Sequence, residues 1–245
     1  ELFRRRSAEQ LSDEAAGVAV DLLSAPYAPG GNATVILNPE LVGLLAHEAI
    51  GHTVEADFVL SGSAVSGKMG QKVASELVTL VDSGPAVIGE DNACGIVLVD
   101  DEGVPAQRTV IIDRGVLSSF LHDRETAARF GVAPTGNARA WQYDVEPLIR
   151  MRNTYIEPGK TPYEELVSSV DEGFLLKGAG SGQADANAEF MFGVQEAYEI
   201  RNGRVGRLLR GATISGDAFE VLRSVDMISS DFEWAIGTGY CGKGQ

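Results

Sequence analysis

Only two of the 245 residues are cysteine, Cys94 and Cys241, too few for a disulfide framework. A reducing, cytoplasmic compartment with one or both thiols free is the expectation. No apolar run reaches about 18 residues, so no spanning helix is expected. The first residues, Glu1-Leu2-Phe3-Arg4-Arg5-Arg6, lack both an apolar signal core and an initiator Met, which points to a fragment or a processed chain. Aromatic residues are sparse at 7%, which argues against a base-stacking surface. Positive charge is short as well: 20 Lys and Arg face 35 Asp and Glu, a net charge of −15. Such a surface repels phosphate backbones and anionic lipid headgroups, so neither nucleic acid nor membrane is an expected partner.

What is present describes a folded chain. Hydrophobic residues make up 44%, and the length is enough to bury a core without staples. Residues 7–23 carry apolar side chains at helical spacing. Residues 26–32 are rich in Pro and Gly, and 33–37 read as a short buried strand. Asn38-Pro39-Glu40 announces a helix: Asn is a good N-cap, and Pro is tolerated at the first helical position. That helix should run to about His52 and, being apolar on most sides, should be buried. Residues 61–70 look like a mobile loop. Residues 78–81, 95–99 and 108–112 are β-rich runs separated by turn signals. Asp123 caps a short helix, 162–170 reads as another, and 216–228 as a third. Asn202-Gly203 marks a hairpin between 187–200 and 205–209. Together these predict an α+β fold: a twisted, largely antiparallel and barrel-like β-sheet with inserted helices, one of them carrying the site.

The chemistry concentrates in His47-Glu48-Ala49-Ile50-Gly51-His52, which holds two of only three histidines. A second His at a given offset would arise by chance about 1% of the time at this frequency. Neutral imidazoles suit zinc, and an adjacent Glu can take a proton from water at the metal. The two histidines lie five residues apart, about 140° around a regular α-helix and therefore on different faces. A π-type turn or a helix end would bring them together, and Gly51 is the residue best suited to that distortion. Glu55, Asp57 and the remote Cys241 are the candidates for a third ligand, and the residues alone do not choose among them.

The stretch from His47 to Asp57 resembles the metal motif of the TldD/PmbA peptidases. The similarity continues through Asp101-Glu102-Gly103-Val104-Pro105-Ala106-Gln107-Arg108-Thr109 and Arg152-Asn153-Thr154-Tyr155-Ile156-Glu157-Pro158-Gly159. It reaches Gly211-Ala212-Thr213-Ile214-Ser215-Gly216 and ends at Cys241-Gly242-Lys243-Gly244-Gln245. Five segments in register, from about residue 33 onward, make the resemblance specific. It implies a zinc peptidase of the metal-bearing TldD type, with Zn²⁺ held by His47, His52 and Cys241 and with Glu48 as catalytic base. The implied substrate is an unfolded or flexible peptide, held in extended form along a sheet. A homodimer, or a heterodimer with a metal-free PmbA/TldE-like sister subunit, is implied as the assembly. Residues 33–245 would then be the C-terminal metallopeptidase domain. Residues 1–32 would be a helix and linker ending an upstream lobe that this sequence lacks. The alternative function is a noncatalytic peptide-binding or assembly subunit, for which Glu48 would be superfluous.

The remaining features read more plainly. Gly178-Ala179-Gly180-Ser181-Gly182 lacks the third glycine of a dinucleotide loop, so no nucleotide cofactor is expected and a flexible or substrate-facing loop is. His122 reads as a surface or capping residue, and Cys94 as a small core residue. By themselves Arg152 and Asn153 read as solvated strand residues; the resemblance offers them as groups that orient a peptide backbone or carboxylate.

Overall fold

The turn signal at Asn202-Gly203 shows how local chemistry sets the main sheet. Both residues adopt positive φ, 51° and 69°, as a tight two-residue hairpin loop demands. They join the strands Glu189–Arg201 and Arg204–Leu209. A computed structural model describes residues 7–88, 91–93, 95–185, 187–235 and 241–243. Within these, Glu189–Arg201 is the centre of a five-stranded sheet. It pairs antiparallel with Glu172–Ala184, with Arg204–Leu209 and, at its start, with Thr213–Asp217. Val35–Leu37 adds the one parallel pairing of the sheet, against Phe174, Leu175 and Leu176.

A second sheet is antiparallel throughout and runs Val116–Leu117, Arg108–Asp113, Leu80–Ser83, Asn153–Ile156. Two short ribbons, Val87–Ile88 with Asp91–Asn92 and Ala138–Arg139 with Leu148–Ile149, complete the described strands. The mixed α+β class and the mostly antiparallel pairing are as expected, but the barrel-like closure is not. The outermost strands of the large sheet, Val35–Leu37 and Arg204–Leu209, do not pair with each other, so among the described strands neither sheet closes on itself.

The helical run that begins at Pro39 lies between the two sheets. Leu45, Ala46, Ala49, Ile50 and Val54 pack with Leu80, Ile111, Ile112 and Leu117 of the second sheet. The same cluster includes Phe190 and Phe192 of the large sheet, and Phe219 and Leu222 of the helix Ala218–Ser224. Burial from several directions explains why this run is apolar nearly all round. Each fully buried Leu or Ile in it contributes about 1.5–3 kcal/mol. The first helix, Ala8–Ser24, is different: Ser7 and Gln10 form a capping box, yet the helix buries none of its residues. No helix among the described residues is long and apolar enough to cross a membrane.

Two loop and strand readings are corrected. Residues 61–70 are anchored rather than mobile: Val65 is fully buried, Ser63 Oγ donates to the Thr53 carbonyl and Ser66 Oγ to that of Val59. Residues 95–99 form no regular strand, and Ile96, Leu98 and Val99 are exposed, because Val99 makes only an isolated bridge to Pro105.

Candidate metal centre

Asn38 starts the site-bearing helix as expected, its Oδ1 accepting from Leu41 N at 3.1 Å, with Pro39 at the first helical position. The α-helix Pro39–Leu44 then widens into a π-helix, Leu45–Gly51, followed by a short 3₁₀ turn, His52–Val54. The amide of His52 donates to the carbonyl of His47, a five-residue closure that sets one histidine over the other. Their rings are 5.1 Å apart and nearly perpendicular.

Gly51 earns its place by packing, not by unusual dihedrals. Its backbone is ordinary right-handed helix, φ −57°. A Cβ there would lie 1.9 Å from Met151 Sδ and 3.0 Å from the carbonyl oxygen of Ala46. Gly51→Val should therefore cost about 1–3 kcal/mol through overpacking. A lower urea midpoint at unchanged m-value would register it, and an unchanged midpoint would show that Met151 moves aside freely.

The thiol of Cys241 reaches this turn across 189 positions, 2.9 Å from His52 Nε2. One ligand atom each from His47, Glu48, His52 and Cys241 lies within 4.8 Å of the others. Glu48 sits beside the imidazoles, Oε1 3.9 Å from His47 Nε2 and Oε2 3.7 Å from His52 Nε2. His47 Nε2 is shut off from solvent and makes no well-aligned hydrogen bond among the described residues. An orphaned ring nitrogen aimed at a second imidazole and a thiol fits a divalent metal, and two nitrogens with one sulfur suit zinc. Cys241 has no disulfide partner among the described residues. The neighbouring rings of His47 and then His52 pull its pKa down to about 6. Burial opposes the charged form of His52, but hydrogen bonds with Cys241 and Glu55 outweigh it and push the ring up to about 9.

Glu55 and Asp57 do not join the ligand cluster. Glu55 lies behind it, fully buried, with Oε2 3.1 Å from His52 Nδ1. A carboxylate on the far nitrogen fixes the tautomer and tilt of a ligating histidine. Lys243 Nζ lies 3.0 Å from Glu55 Oε2 and 2.7 Å from Asp57 Oδ2. Arg150 Nη2 donates to the Cys241 carbonyl at 2.8 Å. The roles of Glu55, Arg150 and Lys243 were not read from sequence. The placement of Lys243 two residues after Cys241, and of Glu55 three after His52, was the available signal.

In front of the cluster lies a cleft of about 500 Å³ whose walls include Leu44, Glu48, His52, Phe58, Phe192 and Cys241. Gly180, Gly182 and Ala184 form one side. The reading of 178–182 as a flexible or substrate-facing loop is corrected in its loop character: these glycines lie in the strand Glu172–Ala184, with a register shift between Ala179 and Gly182, and Gly180 and Gly182 face the cleft.

Arg152 and Asn153 do not line this cleft. Arg152 is buried with Asp82, Nε to Oδ2 at 2.9 Å, and also donates to the carbonyls of Thr135 and Gly136. Asn153 Nδ2 donates to the carbonyls of Ser83, Gly84 and Gly95, and its Oδ1 accepts from Gly95 N. Their polar groups are spent on the scaffold, which corrects the peptide-orienting assignment. His122 is likewise buried rather than at the surface, with Nδ1 3.2 Å from Thr126 Oγ1, and burial lowers its pKa. Cys94 lies outside the described residues.

Comparison with known proteins gives this fold and cluster a class. A family model for the PmbA/TldA metallopeptidase C-terminal domain matches residues 30–243. The chain belongs to the TldD/PmbA metallopeptidase family. A metalloprotease of Methanocaldococcus jannaschii is 44% identical over 95% of this chain and 51% of its own. A zinc metalloprotease TldD homologue of Saccharolobus solfataricus is 39% identical over 87% of this chain and 47% of its own. A Thermotoga maritima protein described as a modulator of a DNA gyrase has a similar structure, with TM-score 0.76 and 27% identity. That match covers 92% of this chain and 49% of the other. The chain thus spans about half the length of the relatives it matches.

Proposed function

We infer that this chain is the catalytic portion of a zinc peptidase that cleaves unfolded or flexible peptides. The observation that carries the reading is the meeting of His47, His52 and Cys241 around one point, with Glu48 beside them at the wall of a cleft. When bound, zinc supplies Lewis acidity, which polarises a carbonyl and eases removal of a water proton. Glu48 takes that proton and returns it to the departing amine. Glu55 holds the His52 ring through Nδ1.

The sheet beside the cleft supports extended binding. Val35–Leu37 covers only Phe174, Leu175 and Leu176 on its side of Glu172–Ala184, whereas Gly180, Gly182 and Ala184 reach the cleft. A peptide added as a strand along that edge would be held by backbone hydrogen bonds and tolerated with many side chains. We assign residues 33–245 to the peptidase unit and residues 1–32 to a helix and linker that joins a further lobe. The assembly is a dimer, of two such chains or with a metal-free PmbA/TldE-like subunit. A free thiolate ligand suits a reducing cytoplasm.

Cys241→Ala tests the ligand set. The variant should fold, lose stoichiometric zinc on dialysis and lose cleavage of an unstructured peptide, by elemental analysis and a peptide-release assay. Full zinc content in that variant would remove Cys241 from the ligand set.

A further inference from the structure

Residues 241–243, the described residues around Cys241, have no regular secondary structure to hold them in register. A ligand on such a segment gains from a fixed position, because ordering it on metal binding costs affinity. Two contacts supply that position. Arg150 Nη2 takes the Cys241 carbonyl, and Lys243 enters a socket two residues further on. The side chain of Lys243 is only 9% exposed. Its ammonium lies 3.0 Å from Glu55 Oε2, donates to Asp57 Oδ1 at 2.8 Å and to the Ile149 carbonyl at 3.0 Å, and sits 4.4 Å from the Phe58 ring centre.

The socket is shared with the histidine side of the site. The Glu55 oxygen that faces Lys243 also faces His52 Nδ1, while Glu55 Oε1 has no hydrogen-bond partner among the described residues. One buried carboxylate oxygen therefore joins the ring of one ligand to the cation that anchors the other. Buried charges persist where they are paired, so Lys243 and Glu55 hold each other in place.

We propose that Lys243 is a positioning residue. Its ammonium latches the Cys241 segment onto the turn bearing Glu55 and Asp57, and so presents the thiol to the His52 ring before any metal arrives. This rests on the reading of His47, His52 and Cys241 as metal ligands, but the latch itself is a property of the metal-free chain.

The test uses the whole chain in a Cys94→Ser background, so that Cys241 is the one thiol. Lys243→Met should raise the iodoacetamide alkylation rate of metal-free Cys241 several-fold. It should also lower zinc affinity by about 10–100-fold in a chelator competition. The near-ultraviolet thiolate band of the Co²⁺-loaded protein should weaken in the same variant. Lys243→Arg, which keeps the cation, should recover part of each change, as a purely steric role for the side chain would not allow. Asp57→Asn opens the socket from its more exposed side and should move all three readouts the same way. It alone decides the matter if Lys243→Met does not fold. Wild-type alkylation and zinc affinity in both variants, or in Asp57→Asn when it alone folds, overturn the latch. Absence of any thiolate–cobalt band in the parent protein would instead sink the ligand assignment, and the alkylation rates would still judge the latch.

Discussion

Glu48→Gln is expected to lower kcat/KM for an unstructured peptide by about 10²–10⁴-fold while zinc content stays at the wild-type level. At about 1.4 kcal/mol per tenfold, that is roughly 3–5.5 kcal/mol of lost transition-state stabilisation. The amide keeps the shape of the carboxylate but cannot accept a proton from water. Its surroundings should hold: the side chain is about one-third exposed, and its oxygens stand 3.7–3.9 Å from the imidazole nitrogens, beyond hydrogen-bond range. Removing the charge therefore breaks no buried pair, and melting should be near wild type. The loss should fall on kcat with KM little changed, because the proton moves only in the transition state. A variant that cleaves normally with zinc in place would leave Glu48 without the role given to it.

The parts of this site that could be read from sequence share one property: they follow from neighbours along the chain. Asn38-Pro39 starts a helix by local capping, and the five-residue spacing of His47 and His52 requires a wider turn to join them. Asn202-Gly203 dictates its hairpin for the same reason. What could not be read depends on pairing at a distance. Residues 178–182 look flexible because glycine has no side chain to report a neighbour. Their order comes from Glu189–Arg201 alongside, and a Cβ at Gly182 would lie 2.4 Å from the Met191 carbonyl oxygen. Residues 95–99 are the converse, a β-rich composition that finds no strand to pair with. Glu55 illustrates the limit at the site itself. Its position three residues after His52 suits either a ligand or a ring-orienting carboxylate, and Lys243, 188 residues away, is part of what separates the two roles.

Arg152→Met is expected to destabilise the fold by about 3–5 kcal/mol, because it leaves the Asp82 carboxylate buried without its cation. For a chain of this length each kcal/mol moves the melting temperature by about 2–4 °C, so a fall of roughly 6–20 °C should appear in a thermal scan. Both side chains are fully buried and meet at 2.9 Å. Asp82 also accepts from the backbone amide of Arg152, from Thr154 Oγ1 and from Asn137 Nδ2. These bonds tie the strand Leu80–Ser83 to the strand Asn153–Ile156 and to the turn at 135–137. The double variant Asp82→Leu, Arg152→Met removes both charges together and should regain the part of the loss that comes from the unpaired carboxylate, but not all of it, because the Arg152 amide, Thr154 Oγ1 and Asn137 Nδ2 lose an acceptor. A peptide-binding role for Arg152 would give the opposite pattern, a raised KM at an unchanged melting temperature. The network also reaches the candidate metal centre: Asn137 Nδ2 donates to the Arg150 carbonyl, the Arg150 amide donates to the Asn137 carbonyl, and the Arg150 guanidinium holds the Cys241 carbonyl. Zinc affinity should therefore weaken in Arg152→Met below its melting point, and recovery of affinity in the double variant would show that Arg152 serves the site through the scaffold alone.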